Sequence, residues 1–295
     1  MTVYSSLAEA IRDIFGEGVA IIDRRSISGG DINAAWALIL SDGSKVFMKS
    51  NRLENQDFFR AEAEGLEAIS SCNTIKTPGI LGRGTDGAIS FLLLEYISGG
   101  RRRTDFFTEF GRELAALHSA CASRFTGGRR YGFRNDNYIG AGYQKNTGED
   151  SWIAFFREYR LELQFKKAEA YFDQGDVRRI NRLLERVDEL LIEPESPSLI
   201  HGDLWGGNYM EGNDGSAWLI DPAAYVGCAE ADIAMTELFG GFHMDFYSGY
   251  YEVRPKLSGY EERRDIYNLY HLLNHLNLFG GGYLSSVRAA VRKYC

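Results

Sequence analysis

Leu7, Ala10, Ile11 and Ile14 recur at helical spacing and predict a short amphipathic helix that stops at Gly16 and Gly18. The period then changes. Val19–Ser26, Ala34–Leu40 and Lys45–Lys49 read as strands, the first two joined through Ser28-Gly29-Gly30-Asp31-Ile32-Asn33. Ser41-Asp42-Gly43-Ser44 joins the second pair and is a good hairpin turn. Gln56 to Ser71 predicts a helix with Phe58, Phe59, Leu66 and Ile69 apolar, and two more strands follow at Gly79–Gly82 and Ile89–Tyr96. The last of these sits in ISFLLLEYISGG, a nearly continuous apolar run expected to form a buried strand leaving a small lobe. The lobe boundary is placed there, giving 1–97 and 98–295.

From Thr104 the pattern turns helical, with Phe106, Phe110, Leu114 and Leu117 on one stripe. Arg124 to Glu149 breaks it. This glycine- and aromatic-rich segment is long for a loop, and such loops are usually functional or disordered. Its tyrosines, asparagines (Asn137 and Tyr138 among them) and Gln144 suit a hydroxyl-rich acceptor; Arg129, Arg130 and Arg134 are either a phosphate attractant or solvated charge. Helices are predicted at Ser151–Phe172 and Asp176–Leu191, then, beyond a break at Glu193–Pro197, at Ala229–Phe239, Glu261–Phe279 and Leu284–Lys293. The expected fold class is therefore α+β and two-lobed, a small antiparallel-sheet lobe followed by a larger, mainly helical one.

Composition narrows the partners. The chain has 295 residues, enough for two lobes with a substantial core. A net charge of −8 argues against general nucleic-acid or anionic-membrane binding. Glu9, Arg12 and Asp13 interrupt the first apolar pattern, so it does not read as a signal peptide, and no apolar run approaches transmembrane length. Cys72, Cys121, Cys228 and Cys295 lie far apart, which suits reduced thiols and a cytoplasmic location. His271 and His275 have the spacing of two metal ligands on a helix, but no third ligand is evident; helix packing or substrate-side hydrogen bonding is favoured.

The chemistry concentrates in Ser198–Asp221, SLIHGDLWGGNYMEGNDGSAWLID. An apolar run delivers His201-Gly202-Asp203; Asn208 follows five positions after the aspartate; two short strands around a polar turn lead to Asp221. That order matches the kinase catalytic loop and its metal-binding aspartate. Phosphoryl transfer needs a carboxylate, here Asp203, to accept the proton of the attacking hydroxyl. It also needs oxygen ligands, here Asn208 and Asp221, to hold Mg²⁺ against the phosphates of ATP. The small lobe supplies counterparts: the Gly29–Asn33 turn to cover phosphates, Lys49 closing an apolar strand to meet them, and Glu62 to orient Lys49. The backbone of Glu95 and Ile97, free beyond the last strand, is expected to hydrogen-bond adenine.

Taken together, these pieces resemble the fructosamine kinase (ketosamine-3-kinase) family, a branch of the protein-kinase-like fold close to aminoglycoside and choline kinases. The carrying motifs include GGDINAAW at Gly29–Trp36, VFMK ending at Lys49, FRAEAEGL at Phe59–Leu66, YGFRNDNYIG at Tyr131–Gly140 and WIAFFREYRL at Trp152–Leu161. They continue with HGDLWGGN at His201–Asn208, DPAAYVGCAEADIAM at Asp221–Met235 and LLNHLNLFGG at Leu272–Gly281. The Trp205-Gly206-Gly207 insert and Asp221-Pro222-Ala223 select this branch. Cys228 departs from it, standing where the family usually has a histidine. The resemblance implies ATP-dependent phosphorylation of a sugar hydroxyl on a free or protein-bound ketosamine, with deglycation as the result. Trp205 is then an acceptor-binding residue, its indole facing a protonated amine, or else merely packs the loop. A kinase of another small alcohol and a catalytically silent nucleotide-binding module are the competing readings.

Overall fold

A computed structural model describes residues 2–28 and 32–295. Its first lobe is a mixed sheet in the order β1-β5-β6-β4-β3-β2. The strands are β1 (Val3–Tyr4), β2 (Ile21–Ile27), β3 (Ala34–Leu40), β4 (Lys45–Arg52), β5 (Ile80–Asp86) and β6 (Ile89–Glu95). Between them lie helices α1 (Leu7–Phe15) and α2 (Gln56–Ser70). Ser6 caps α1 by accepting from the Glu9 N–H, and Gly16, at φ 110°, ends it. The two-residue β1 is absent from the sequence reading; it runs parallel to β5, pairing Val3 with Arg83.

Strand alternation explains the unbroken apolar run in β6. Phe91 and Leu93 pack with Val46, Met48 and the buried face of α1, whereas Leu92 and Leu94 pack with Phe59, Ala63 and Leu66 of α2. Both faces of the sheet are covered at β6, so Phe91 to Leu94 are apolar on either parity. Lys49 shares its parity with Phe47, which packs on the α2 side, and pairs with Leu92 across β6. The lysine therefore leaves the sheet toward α2.

The second lobe contains α3 (Phe106–Ser119), a hairpin of β7 (Asn137–Ile139) and β8 (Gly142–Gln144), α4 (Trp152–Phe156), α5 (Leu163–Lys167), α6 (Gln174–Glu185) and α7 (Val187–Leu190). Then come β9 (Ser198–Ile200), β10 (Tyr209–Glu211), β11 (Ala217–Leu219), β12 (Tyr225–Gly227), α8 (Ala229–Leu238), α9 (Met244–Val253), α10 (Tyr260–Phe279) and α11 (Leu284–Arg292). Three expectations are corrected. The segment Arg124–Glu149 is not wholly irregular, because it holds the β7–β8 hairpin. The single helix expected over Ser151–Phe172 is interrupted by a π-helical stretch, Arg157–Glu162, which wraps the fully buried Arg160. Helix α9, unpredicted, lies against α3 with backbones in contact; a Cβ on Gly111 would strike the Phe246 carbonyl, and one on Gly249 the Thr108 carbonyl. All four cysteines are free, and no helix among the described residues is long and apolar enough to cross a membrane.

Candidate active site

The antiparallel pair β9–β12 sets Leu199 and Ile200 opposite Val226 and Tyr225 and delivers His201-Gly202-Asp203 beside Ala223. Gly202 has φ 82°, and any Cβ there would strike the Ala223 carbonyl, so only glycine lets the two loops close on one another. Asp232 of α8, fully buried, fastens the loop from below. Its Oδ2 accepts from the His201 N–H (2.6 Å) and its Oδ1 from the Gly202 N–H (2.8 Å); His118 Nε2 lies 3.1 Å from Oδ2. Burial alone would push Asp232 up, but these donors and the neighbouring imidazoles hold it below the usual carboxylate range. Asp232 and His118 escaped the sequence reading. The one signal for Asp232 was an acidic residue two positions after Glu230 in an otherwise small and apolar helix start.

His201 is itself buried and, for that reason, has a lowered pKa. Its Nε2 meets the Ile220 carbonyl at 2.9 Å and its Nδ1 accepts from the Asp203 N–H at 3.3 Å. Both ring nitrogens are thus occupied in shaping the loop. Asp203 stands beyond them, pushed up to about 7 chiefly by burial, with the charges of Asp221 and Asp232 adding and an Asn208 hydrogen bond opposing. Asn208 Nδ2 donates to the Asp203 backbone oxygen (2.7 Å) and to its Oδ2 (3.1 Å), which leaves the amide oxygen of Asn208 for a ligand. The Ile220 N–H donates to the Asn208 carbonyl at 3.1 Å, so the β10–β11 hairpin brings Asn208 and Asp221 together at its open end. Asp221 has φ 54°, a left-handed conformation that aspartate tolerates better than most residues.

Lys49 closes the site from the small lobe. Its Nζ donates to Glu62 Oε1 at 2.7 Å and to Asp221 Oδ1. Two carboxylates share one ammonium here. Burial pushes Glu62 up to about 7 against the pull of Lys49, while Asp221, its side chain 44% exposed, is held below its ordinary value by Lys49 against the cost of desolvation. Lys49 is raised by the two carboxylates against the effect of its own burial. Of the turn expected to cover phosphates, Gly29, Gly30 and Asp31 lie outside the described residues. Asn51 Nδ2 ties down the rest, donating to the Ile32 carbonyl (3.2 Å) and to Asn33 Oδ1 (2.7 Å).

The other expected site residues divide. The Glu95 N–H is not free, since it donates to the Gly79 carbonyl at 2.8 Å; the expectation of an unoccupied backbone there narrows to its carbonyl. Among the described residues the Ile97 N–H has no backbone partner. Trp205 is 41% exposed and lies over Gly207, where a Cβ would strike the indole ring; its outer edge meets Phe239. Asn137 and Tyr138 are both engaged by other residues of the protein. Asn137 is 3% exposed and donates to the Ala224 carbonyl at 2.8 Å, behind the Asp221 loop. Tyr138 packs on Phe58 and donates to Asp57 of α2 at 3.1 Å. Both hold the site's frame.

Asn208 and Asp221 offer hard oxygen donors, one amide and one carboxylate. Mg²⁺ is usually held by one or two carboxylates together with substrate phosphates and water, so the pair fits that ion. Among the described residues no group of three or more His, Cys, Asp or Glu side chains is placed to hold a metal, and His275 Nδ1 is engaged at 2.8 Å with the His271 carbonyl.

Comparison with known proteins agrees with this geometry. The family model described as fructosamine kinase matches residues 3–295. The chain is similar to a probable ketoamine kinase of Synechocystis sp., 40% identical over 292 residues, covering 98% of this chain and 96% of the relative. It is also similar to a chloroplastic protein-ribulosamine 3-kinase of Oryza sativa subsp. indica, 39% identical over 286 residues, covering 95% of this chain and 80% of the relative. The crystal structure of a provisionally named fructosamine-3-kinase of Haemophilus somnus has a TM-score of 0.87 to this chain at 31% identity, covering 98% and 96% of the two. With a two-lobed kinase-like fold and a matching catalytic loop, the chain belongs to the fructosamine kinase family.

Proposed function

We propose that the protein is an ATP-dependent kinase that phosphorylates the 3-hydroxyl of a ketosamine, the rearranged adduct of a reducing sugar with an amine. The observation that carries this reading is the convergence of Asp203, Asn208 and Asp221 with the Lys49–Glu62 pair, in a chain whose relatives include a ketoamine kinase and a ribulosamine 3-kinase. Asp203 accepts the hydroxyl proton as the oxygen attacks the γ-phosphorus and the bond to ADP breaks, a contribution of roughly 10²–10⁴-fold. Lys49, released from Asp221, meets the phosphates; Glu62 keeps its ammonium oriented. Asn208 Oδ1 and Asp221 would hold Mg²⁺, which would supply neutralisation of phosphate charge. The exposed Trp205 face suits the protonated ketosamine nitrogen through cation–π attraction. A phosphate at the third carbon favours elimination, which frees the amine and makes the outcome deglycation. The acceptor is a small-molecule or protein-bound ketosamine.

Coupled ATP consumption with fructosamine, ribulosamine and erythrulosamine adducts, against aminoglycosides, choline and simple sugars, tests the reading. Turnover confined to the ketosamines is expected, with Asp203→Asn slower by roughly 10²–10⁴-fold. Equal rates for the wild type and Asp203→Asn would remove Asp203 as the base, and turnover of the other alcohols alone would remove the ketosamine.

A further inference from the structure

Helix α10 carries a buried imidazole that the reaction as described leaves idle. His271 is 4% exposed, its ring meets Tyr270 edge-on, and its Nδ1 lies inside the protein with no hydrogen-bond partner among the described residues. Buried polar atoms are almost always paired, so one that is not needs an explanation. This one faces the reaction. Nδ1 lies 4.0 Å from Asp203 Oδ1, while the other oxygen of the same carboxylate, Oδ2, already accepts from Asn208. Asp203 is flanked on both oxygens, and only the Asn208 side is closed.

The state of the ring is set by its surroundings. Burial, with His275 adding, takes His271 down to about 3, so the imidazole is neutral near pH 7 and carries one proton. Placed on Nδ1, that proton faces Asp203 Oδ1, a carboxyl oxygen able to accept it. The helix turn that holds the ring is fixed by the His275 Nδ1 contact to the His271 carbonyl. A gap of 4.0 Å is about 1 Å too long for a hydrogen bond. Catalytic hydrogen bonds that are long in an empty site tighten in the substrate complex.

We propose that His271 is a positioning residue for the catalytic carboxylate: with acceptor bound, its Nδ1–H closes onto Asp203 Oδ1. Together with Asn208 on Oδ2 it fixes the plane of the carboxylate, so that a remaining lone pair faces the attacking hydroxyl. This rests on Asp203 being the base. It gives separate uses to the two histidines at metal-ligand spacing: one orients the carboxylate and the other anchors the helix turn.

Three replacements separate this from packing. In His271→Asn the amide nitrogen falls near the place of Nδ1; in His271→Gln it falls near Nε2; His271→Phe keeps a ring without nitrogen. Each is assayed in the full-length enzyme with saturating ATP and Mg²⁺ and ribulosyl-lysine as acceptor, beside Asp203→Asn, with thermal unfolding recorded for all. Expected are a fall in kcat of about 10- to 100-fold for Gln and Phe, an unchanged KM for ATP, and kcat within about 3-fold of wild type for Asn. His271→Phe as active as wild type, or Asn falling as far as Phe, would overturn the inference; so would losses that follow unfolding temperature. Because His271→Gln keeps a polar side chain, it carries the test if the Phe variant folds poorly. An active Asp203→Asn enzyme would instead sink the base assignment, and a wild type inert toward ribulosyl-lysine but active on another ketosamine moves the same series to that acceptor.

Discussion

Two polar clusters meet behind the reacting centre, and they are built on opposite lines. In one, Lys49 stands between Glu62 and Asp221, and every member can carry charge. In the other, amides do nearly all the bonding. Gln144 Nε2 donates to Asn137 Oδ1 (2.7 Å) and to the Ala223 carbonyl (3.0 Å), Asn137 Nδ2 to the Ala224 carbonyl, and Tyr270 O–H to Gln144 Oε1 (2.6 Å). Asn146 bridges Asn137 to Arg160, whose guanidinium lies 3.9 Å from the centre of the Tyr225 ring. Charges attract over distance and re-pair readily, so the lysine can exchange Asp221 for a phosphate. Amides bond only in fixed directions and lose little on burial when satisfied. They hold the backbone that follows Asp221, and the charged cluster is the part free to change partners.

Removing one charge tests that division most severely. Asp221→Asn is expected to lower kcat roughly 10²–10³-fold or more, the loss typical of a preorganised electrostatic group. Thermal stability should fall modestly, because the Lys49 pairing with Asp221 is lost while that with Glu62 remains. Gln144→Leu should do the reverse. It strips partners from Ala223 and Tyr270, at about 1–3 kcal/mol for each buried group left unpaired, so unfolding should shift down by several degrees. The kcat should fall only about tenfold through displacement of the Asp221 loop. A Gln144→Leu protein as stable as wild type would mean that the amides do not hold that loop.

The charged cluster was legible in the sequence and the amide network was not, for a physical reason. His201, Asp203, Asn208 and Asp221 lie within one short stretch, and the spacing of a loop and a hairpin fixes their chemistry. Lys49 closes an apolar strand and Glu62 lies one helical turn before Leu66, positions visible in the sequence itself. Asn137 and Gln144, by contrast, belong to three-residue strands with polar side chains turned inward, so hydrophobic period carries no trace of them. They were read as contacts for a hydroxyl-rich ligand because amides suit both uses, and only burial separates the two. Arg160 was hidden likewise: a π-helical stretch moves it out of the register that a regular helix would give. Helix α9 announced itself weakly, its buried stripe reduced to Phe246, Gly249 and Tyr250.

Titration distinguishes the clusters further. In the free enzyme Glu62 sits at about 7, above its ordinary 4.5, so the folded state holds a proton across that interval that the unfolded chain has released. Stability must then decline as pH rises through this interval, and Asp203, raised likewise by burial, adds to the same slope. Asp221, held low, acts at the other end: its contribution is present above 3.8 and is lost only at lower pH. Glu62→Gln should make the first slope shallower and leave the part that Asp203 carries, measured as unfolding temperature against pH without nucleotide or metal. Gln144→Leu should lower the whole curve and leave its slope as in the wild type. A Glu62→Gln curve parallel to wild type would show that Glu62 does not titrate in this window.

The smallest effect is expected where the clusters are tied together. Helix α2, which carries Glu62, is held to the β7–β8 hairpin, which carries Asn137 and Gln144. Tyr138 O–H donates to Asp57 at 3.1 Å and Asn135 to Glu64 at 3.0 Å, while an Arg60 guanidinium N–H reaches the Asp136 carbonyl at 3.3 Å. Tyr138→Phe removes one of these bonds and keeps the edge-on contact with Phe58. Being partly exposed, the bond should be worth about 0.5–1.5 kcal/mol, seen as a drop of a few degrees in unfolding temperature, with kcat within about 3-fold of wild type. Combined with Glu62→Gln, its effect on stability should add to within about 0.5 kcal/mol, since independent sites add. A larger discrepancy, or a loss of kcat beyond tenfold without matching loss of stability, would mean that the hairpin sets the Lys49–Glu62 pair directly, and that the mobile charges and the fixed amides work as one unit.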